Sequence, residues 1–256
     1  MAEGDRDMIG PTFGRFLRKL HLREAVSELA AAARVYAWHL RRDPAGVDRR
    51  LLRSYLDNHP IRKLHIACGQ NPLDGWLNTE LYPRSDSVMH LDATRPFPFG
   101  DGELDYIYSE HMIEHITHPQ TEAMVRECFR VLKPGGKIRL ATPDLAALLD
   151  LYRETHSEIQ RRFMEHFTAT FIGWAPEVAP VYVINNHFHN WYHKFIFDER
   201  SLRTALERGG FDEVTRCGLQ ESDDEHLRNL ANESRAPEGV LRHETLVMEG
   251  TKPARG

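Results

Sequence analysis

The sequence predicts an α/β fold organised on a doubly wound, mostly parallel sheet of seven strands. Short apolar runs recur at 64–68, 76–81, 88–92, 104–108, 137–142, 213–217 and 244–249, each bounded by turn or charged residues. The first ends in a glycine turn, and the second and third each end in an acid. A helical stretch, 120–132, separates the fourth run from the fifth, as a crossover between parallel strands requires.

The chain is organised around 63–80. Leu64, Ile66 and Cys68 read as a buried strand, and Gly69 and Pro72 close it. Glycine at this point lets a ligand approach the backbone, because no Cβ obstructs it. Neither common phosphate-cradling motif is present: Gly69 is followed two residues later by Asn71, and no Gly-Lys-Ser/Thr loop occurs.

At 256 residues and 41% hydrophobic content, the chain is sufficient for one domain with a substantial core, plus an appended helical piece. No apolar run approaches a membrane span, and Met-Ala-Glu-Gly-Asp lacks the pattern of a signal peptide, so a cytoplasmic protein with no integral membrane contact is expected. Cys68, Cys128 and Cys217 have no C-x-x-C spacing and read as buried thiols. A net charge of -5 and a pI near 6.3 argue against a nucleic-acid partner.

Before the sheet, 11–53 carries ten Lys or Arg against four Asp or Glu. Apolar residues at helical spacing, from Phe13, Phe16 and Leu17 to Tyr36 and Leu40, predict two helices. They are read as a cap or a homodimer contact, with a basic docking face as the other reading. Asp43-Pro44-Ala45-Gly46 is a turn, a short helix runs to His59, and Pro60 closes it.

Along the sheet, Glu80 and Asp92 end the second and third strands. Ser109, Glu110 and His111 fall at the carboxyl end of the fourth, where open α/β sheets place ligands. His111-Met112-Ile113-Glu114-His115 spells H-x-x-E-H, a zinc signature when it lies wholly on a helix with a further acidic ligand downstream. Here it starts at a strand end with Pro119 close behind, so no metal ligand is assigned. Lys133-Pro134-Gly135-Gly136 is expected to stop helix 120–132. Residues 145–167 read as one long amphipathic helix, followed by an aromatic loop at 171–176 and the histidine-rich stretch 185–195. Residues 198–208 form a helix ended by Gly209-Gly210, 221–239 read as an exposed charged excursion, and 251–256 as a fraying tail.

These pieces, as LHIACG, GWLNTE, HLDATRPFPF, DYIYSEHMIEHI and ECFRVLKPGGKIRLATPDL, resemble the class I S-adenosylmethionine-dependent methyltransferases, and most closely the methyltransferase type 11-like branch. The match covers about 62–145, with a looser one through HKFIFDERSLRTALERGGF to Phe211. The departure is Ala67-Cys68-Gly69-Gln70-Asn71, where most of that superfamily has a second glycine.

The resemblance implies a Rossmann-like fold with a terminal antiparallel strand and S-adenosyl-L-methionine as cofactor. It implies Ala67, Cys68, Gly69 and Asn71 near the methionine end and Glu80 with Leu81 on the ribose. Asp92 with Ala93 would read the adenine, and Ser109 and Glu110 would complete the site. Residues 1–59 would be an N-terminal helical extension and 60–256 the methyltransferase domain, with 145–197 a substrate-side insertion. The acceptor is expected to be a small molecule or sugar, methylated on a hydroxyl oxygen, with nitrogen and carbon open. A hydroxyl acceptor needs a base, for which His111 and His189 are candidates; His187, Trp191 and Tyr192 are candidates for substrate contact. The alternatives are a metal-dependent hydrolase using the histidine clusters and a catalytically silent binding protein on the same fold.

Overall fold

The computed structural model describes residues 46–254, and ahead of them only Leu29 and Ala33, both helical and exposed. The two helices expected between Phe13 and Leu40, and the dimer contact they offer, lie outside the described residues apart from Leu29 and Ala33. The chain divides into two compact units, Met1–Arg50 and Leu51–Gly256, and the second carries the sheet.

Helix α1 (Val47–Asn58) leads into the sheet, and its buried Tyr55 accepts a hydrogen bond from Lys63 N at 2.7 Å. Seven strands follow: β1 (Lys63–Ile66), β2 (Leu77–Glu80), β3 (Met89–His90), β4 (Leu104–Glu110), β5 (Leu132–Pro143), β6 (Asp212–Cys217) and β7 (Thr245–Thr251). Their order is β3-β2-β1-β4-β5-β7-β6. β1 to β5 are parallel, whereas β7 runs antiparallel to both of its neighbours. The order reverses between β1 and β4, which opens a crevice at the carboxyl ends of those strands.

The core is the apolar interior of the central strands, with Leu64, Leu104, Ile107, Ile138 and Leu140 fully buried. Helix α2 (His118–Val131) contributes Met124, Val125 and Cys128 to it. The helix ends one residue before β5 begins, so Lys133-Pro134-Gly135-Gly136 lies inside the strand and not between helix and strand as expected. The four residues bulge out where the β4–β5 register shifts, from Leu104 opposite Leu132 to Tyr106 opposite Lys137. Gly136 is needed there, because a Cβ would lie 2.9 Å from the Lys133 carbonyl and 3.0 Å from the Asp105 carbonyl.

The long helix expected over 145–167 is two, α3 (Leu145–Asp150) and α4 (Glu158–Phe171). Ser157 and Gln160 form a capping box that starts α4 afresh, and His156 Nε2 donates to the Leu151 carbonyl at 2.7 Å. Helix α5 (Pro180–His189), with proline in its first turn, carries the first half of the histidine-rich stretch. Leu148, Leu151, Phe163, Met164, Phe167, Ile172 and Val183 give this insertion a core of its own. Helix α6 (Glu199–Arg208) returns to the main core through Leu202 and Leu206, and a short helix, α7 (Val240–Glu244), precedes β7.

The excursion at 221–239 is not solvated as expected. Leu227 and Leu230 are buried against Trp76 and Tyr108, and Asp224 pairs with Lys137 at 3.0 Å. Arg139, 1% exposed on β5, anchors its start. The guanidinium donates to the Gly218 and Leu219 carbonyls at 2.9 and 2.7 Å, to the Glu221 carbonyl at 2.8 Å, and pairs with Glu249. A buried charge is tolerated only when paired and hydrogen-bonded in this way. Arg139→Met should therefore destabilise the fold by about 3–5 kcal/mol in urea melts, since Glu249 is left uncompensated, and Arg139→Met/Glu249→Met should recover part of the loss.

Candidate functional site

A cleft of ≈ 640 Å³ opens at the carboxyl ends of β1, β2 and β4, within the range of small-molecule sites. Ala67, Cys68, Gly69, Asn71, Glu80, Leu81, Asp92, Ala93, Glu110 and His111 line it. The turn after β1 is built to meet a ligand. Ala67 and Gly69 both have positive φ, +57° and +54°, and nothing lies within 4 Å of where a Gly69 Cβ would point. Glu80 holds the turn: its Oε2 accepts from Gly69 N at 3.0 Å and its Oε1 from Leu81 N at 2.9 Å. Each carboxylate oxygen retains a second lone pair for a hydroxyl. Asp92 Oδ1 accepts from the Thr94 N–H and hydroxyl at 2.9 and 2.6 Å. Burial pushes the Asp92 carboxyl up, but these bonds and Arg95 more than offset it and hold it below the usual range. Cys68 is a buried thiol pushed up to about 11, first by burial. An open glycine cradle beside two strand-end carboxyl side chains, Glu80 and Asp92, fits a cofactor carrying a ribose and an adenine.

Ser109 does not belong to this cleft. Side chains alternate along β4, so Ser109 faces away from Glu110; it is 1% exposed and its hydroxyl has no partner. The excursion supplies what the sequence reading missed, with Asn232 and Arg235 on the cleft wall. Arg235 Nη2 donates to Glu110 Oε1 at 2.8 Å, Tyr108 Oη donates to Glu110 Oε2 at 3.1 Å, and Asn71 Nδ2 donates to the Leu230 carbonyl at 3.4 Å. His65 and the apolar Met112 and Ile116 also line the cleft.

A second cavity, ≈ 270 Å³, adjoins the first and shares His111, His115 and Arg235 with it. The insertion provides its aromatic wall, Phe167, Phe171 and Trp191, together with His166, His187 and His193. His187 is buried, with Nε2 3.5 Å from Glu244 Oε2. His189 lies two residues further along α5 on its outer face, exposed and lining neither cavity, which removes it as a candidate base. Tyr192 is 70% exposed and likewise outside both, whereas His187 and Trp191 are on the wall.

The H-x-x-E-H segment sits where the cavities meet. It is not one helix, since His111 has φ +48° after β4 and only Ile113–His115 form a 3-10 turn. Glu114 is completely buried. Thr142 Oγ1 donates to its Oε2 at 3.1 Å, and His111 Nδ1 lies 3.2 Å from its Oε1. Burial pushes the His111 imidazole down, but contact with the Glu114 carboxylate outweighs this and raises it above its usual range. Burial likewise pushes Glu114 up, and His111 and His115 bring it below the ordinary carboxylate value.

Residues 72–140 match a family model described as a methyltransferase domain. The chain is 27% identical over 123 residues to an uncharacterized methyltransferase of Synechocystis, covering 38% of this chain and 54% of the relative. It is 28% identical over 105 residues to phosphoethanolamine N-methyltransferase 2 of Caenorhabditis elegans, covering 40% of this chain and 22% of that protein. The chain thus spans about half of the first relative's length and less of the second's. Among solved structures, a SAM-dependent methyltransferase from Archaeoglobus fulgidus aligns at a TM-score of 0.44 and 16% identity, covering 80% of this chain and 93% of that one.

Arg235→Ala should loosen the excursion without unfolding the sheet. Amide exchange over 225–235 should quicken about 2- to 5-fold, matching the 0.5–1 kcal/mol or so of a half-exposed ion pair. Unchanged exchange would mean that Leu227 and Leu230 alone hold the segment.

Proposed function

We propose that this chain, a class I S-adenosylmethionine-dependent methyltransferase by fold and by family-model match, methylates a hydroxyl oxygen of a small-molecule or sugar acceptor. The observation that carries the reading is the junction of two cavities at His111, His115 and Arg235, one fitting the cofactor and the other open for an acceptor. S-adenosylmethionine supplies a methyl group already activated on a sulfonium. The protein's contribution is therefore to align the acceptor and exclude water.

Ala67, Cys68, Gly69 and Asn71 would hold the methionine end, Glu80 and Leu81 the ribose, and Asp92 and Ala93 the adenine. Glu110 would act through Arg235, keeping the excursion over the cleft. The insertion 145–197 would form the acceptor side, with His187 and Trp191 in contact. A hydroxyl must lose its proton, and His111 is the group to take it. Its Nδ1 faces the Glu114 carboxylate, while Nε2 has only Thr245 Oγ1 at 3.5 Å.

A nitrogen acceptor is the second reading. Phe167, Phe171 and Trp191 with Glu114 and Glu244 make a wall suited to a cation, and one relative is named a phosphoethanolamine N-methyltransferase. Among the described residues no helix is long and apolar enough to cross a membrane. The three free cysteines fit the cytoplasm as the compartment, and a homodimer contact through the N-terminal helices remains part of the proposal.

Calorimetric titration with S-adenosylmethionine and S-adenosylhomocysteine tests the cofactor site. Glu80→Ala and Asp92→Ala should each weaken binding by about 1–3 kcal/mol, roughly 5- to 150-fold. His111→Ala should keep cofactor affinity and lower turnover of a hydroxyl acceptor by about 100-fold or more. A wild-type protein that binds neither ligand contradicts the assignment.

A further inference from the structure

We propose that Glu114, His115 and His193 form a binding site for a divalent transition-metal ion, zinc being the ion suited to this ligand set, at the junction of the two cavities. One ligand atom from each residue falls in a cluster whose members all lie within 4.8 Å of one another. A zinc ion bonded at about 2.0–2.1 Å needs tetrahedral neighbours about 3.3–3.5 Å apart. The Glu114 Oε1 to His115 Nε2 separation of 4.0 Å is therefore closed by small side-chain movements.

The outer contacts prepare each ligand. His115 Nδ1 lies 2.8 Å from the Trp191 carbonyl and His193 Nδ1 lies 2.5 Å from the His187 carbonyl. A carbonyl only accepts, so both rings carry their proton on Nδ1 and present the Nε2 lone pair. Thr142 orients the carboxylate through Oε2, leaving Oε1 buried and without a hydrogen-bond partner of good geometry. His111 Nδ1 stands 3.2 Å away but makes no well-formed bond, so this buried oxygen is under-coordinated, a second sign of a ligand.

The chain also holds the distant ligand in place. Lys194 N and Phe195 N both donate to the Glu114 carbonyl, at 2.6 and 3.3 Å, which docks the insertion on the H-x-x-E-H segment. Trp191 and Tyr192 have φ of +53° and +63°, a left-handed turn that bulky residues adopt only under strain. This turn brings His193 back to within 4.9 Å of the His115 ring. His111 stays outside the ligand set, with its Nδ1 on the carboxylate.

Two imidazoles and one carboxylate are a borderline nitrogen–oxygen set that leaves a coordination position open. His115 lines both cavities, so the open position belongs to the acceptor space. Resting on the proposed transfer, the acceptor class this site takes is one with an oxygen able to bind the ion, an alcohol or hydroxy acid.

The test is titration of chelator-stripped full-length protein with Zn2+ and Co2+, read by calorimetry, elemental analysis and the visible bands of bound cobalt. About one equivalent should bind. His115→Ala and His193→Ala should each weaken binding about 100-fold or more, while His156→Gln binds as the wild type. Circular dichroism and S-adenosylhomocysteine affinity of the same samples report the fold. Failure of the wild type to bind either ion at micromolar concentration overturns the site, as does unchanged binding by both ligand variants. If metal is lost while S-adenosylhomocysteine still binds, the metal site falls and the methyltransferase reading stands; if metal binds and S-adenosylhomocysteine does not, the reverse holds.

Discussion

The arrangement of the site depends on one fully buried carboxylate, Glu114. An ionised acid removed from water is costly unless its oxygens and neighbours compensate. Here Thr142 comes from β5, His111 from the end of β4, and the Lys194 and Phe195 amides from the insertion reach the same residue's carbonyl. Three parts of the chain far apart in sequence thus converge on Glu114. The junction of the two cavities follows from that convergence, because the same contacts that satisfy the acid bring the insertion's aromatic wall against the sheet's ligand edge.

Backbone strain is concentrated at the same place. Of the six non-glycine residues with positive φ among those described, Ala67, His111 and Trp191 line the two cavities, and Tyr192 follows directly on Trp191. Such conformations persist only where surrounding structure enforces them. Ala67 is held by the hydrogen-bonded Gly69–Glu80 turn, His111 by the hydrogen bond its backbone N–H donates to the Ala141 carbonyl at 2.8 Å, and Trp191 by the hydrogen bond its carbonyl accepts from His115. The second wall of the cleft at β1, β2 and β4 has another origin. Arg139 and Asp224 fasten the excursion to the sheet, and only then does Arg235 reach Glu110.

Much of the fold was legible in the sequence because strand ends, turns and caps are local signals. The seven strands, the glycine turn and the acids Glu80 and Asp92 could be placed from spacing, and the resemblance supplied the strand order. Non-local packing was not legible. The charged composition of 221–239 suggested solvent, yet two leucines and an arginine contact across 79 to 82 residues hold it down. Capping by Ser157 divided a helix that hydrophobic periodicity joined. In the histidine-rich stretch, helical phase decided which side chains face inward: His187 does and His189 does not. The pairing of Glu114 and His115 with His193 had no sequence signal beyond the residue types, since a strained turn brings them together.

The measurement that tests the central claim most directly is a crystal structure of the chain with S-adenosylhomocysteine. The account predicts density in the cleft of β1, β2 and β4, with both ribose hydroxyls on Glu80, the adenine at Asp92 and Ala93, and the sulfur toward the rim shared by His111 and His115. Ligand bound elsewhere, or a cleft that excludes it while Glu80 keeps only its bonds to Gly69 and Leu81, would contradict the account.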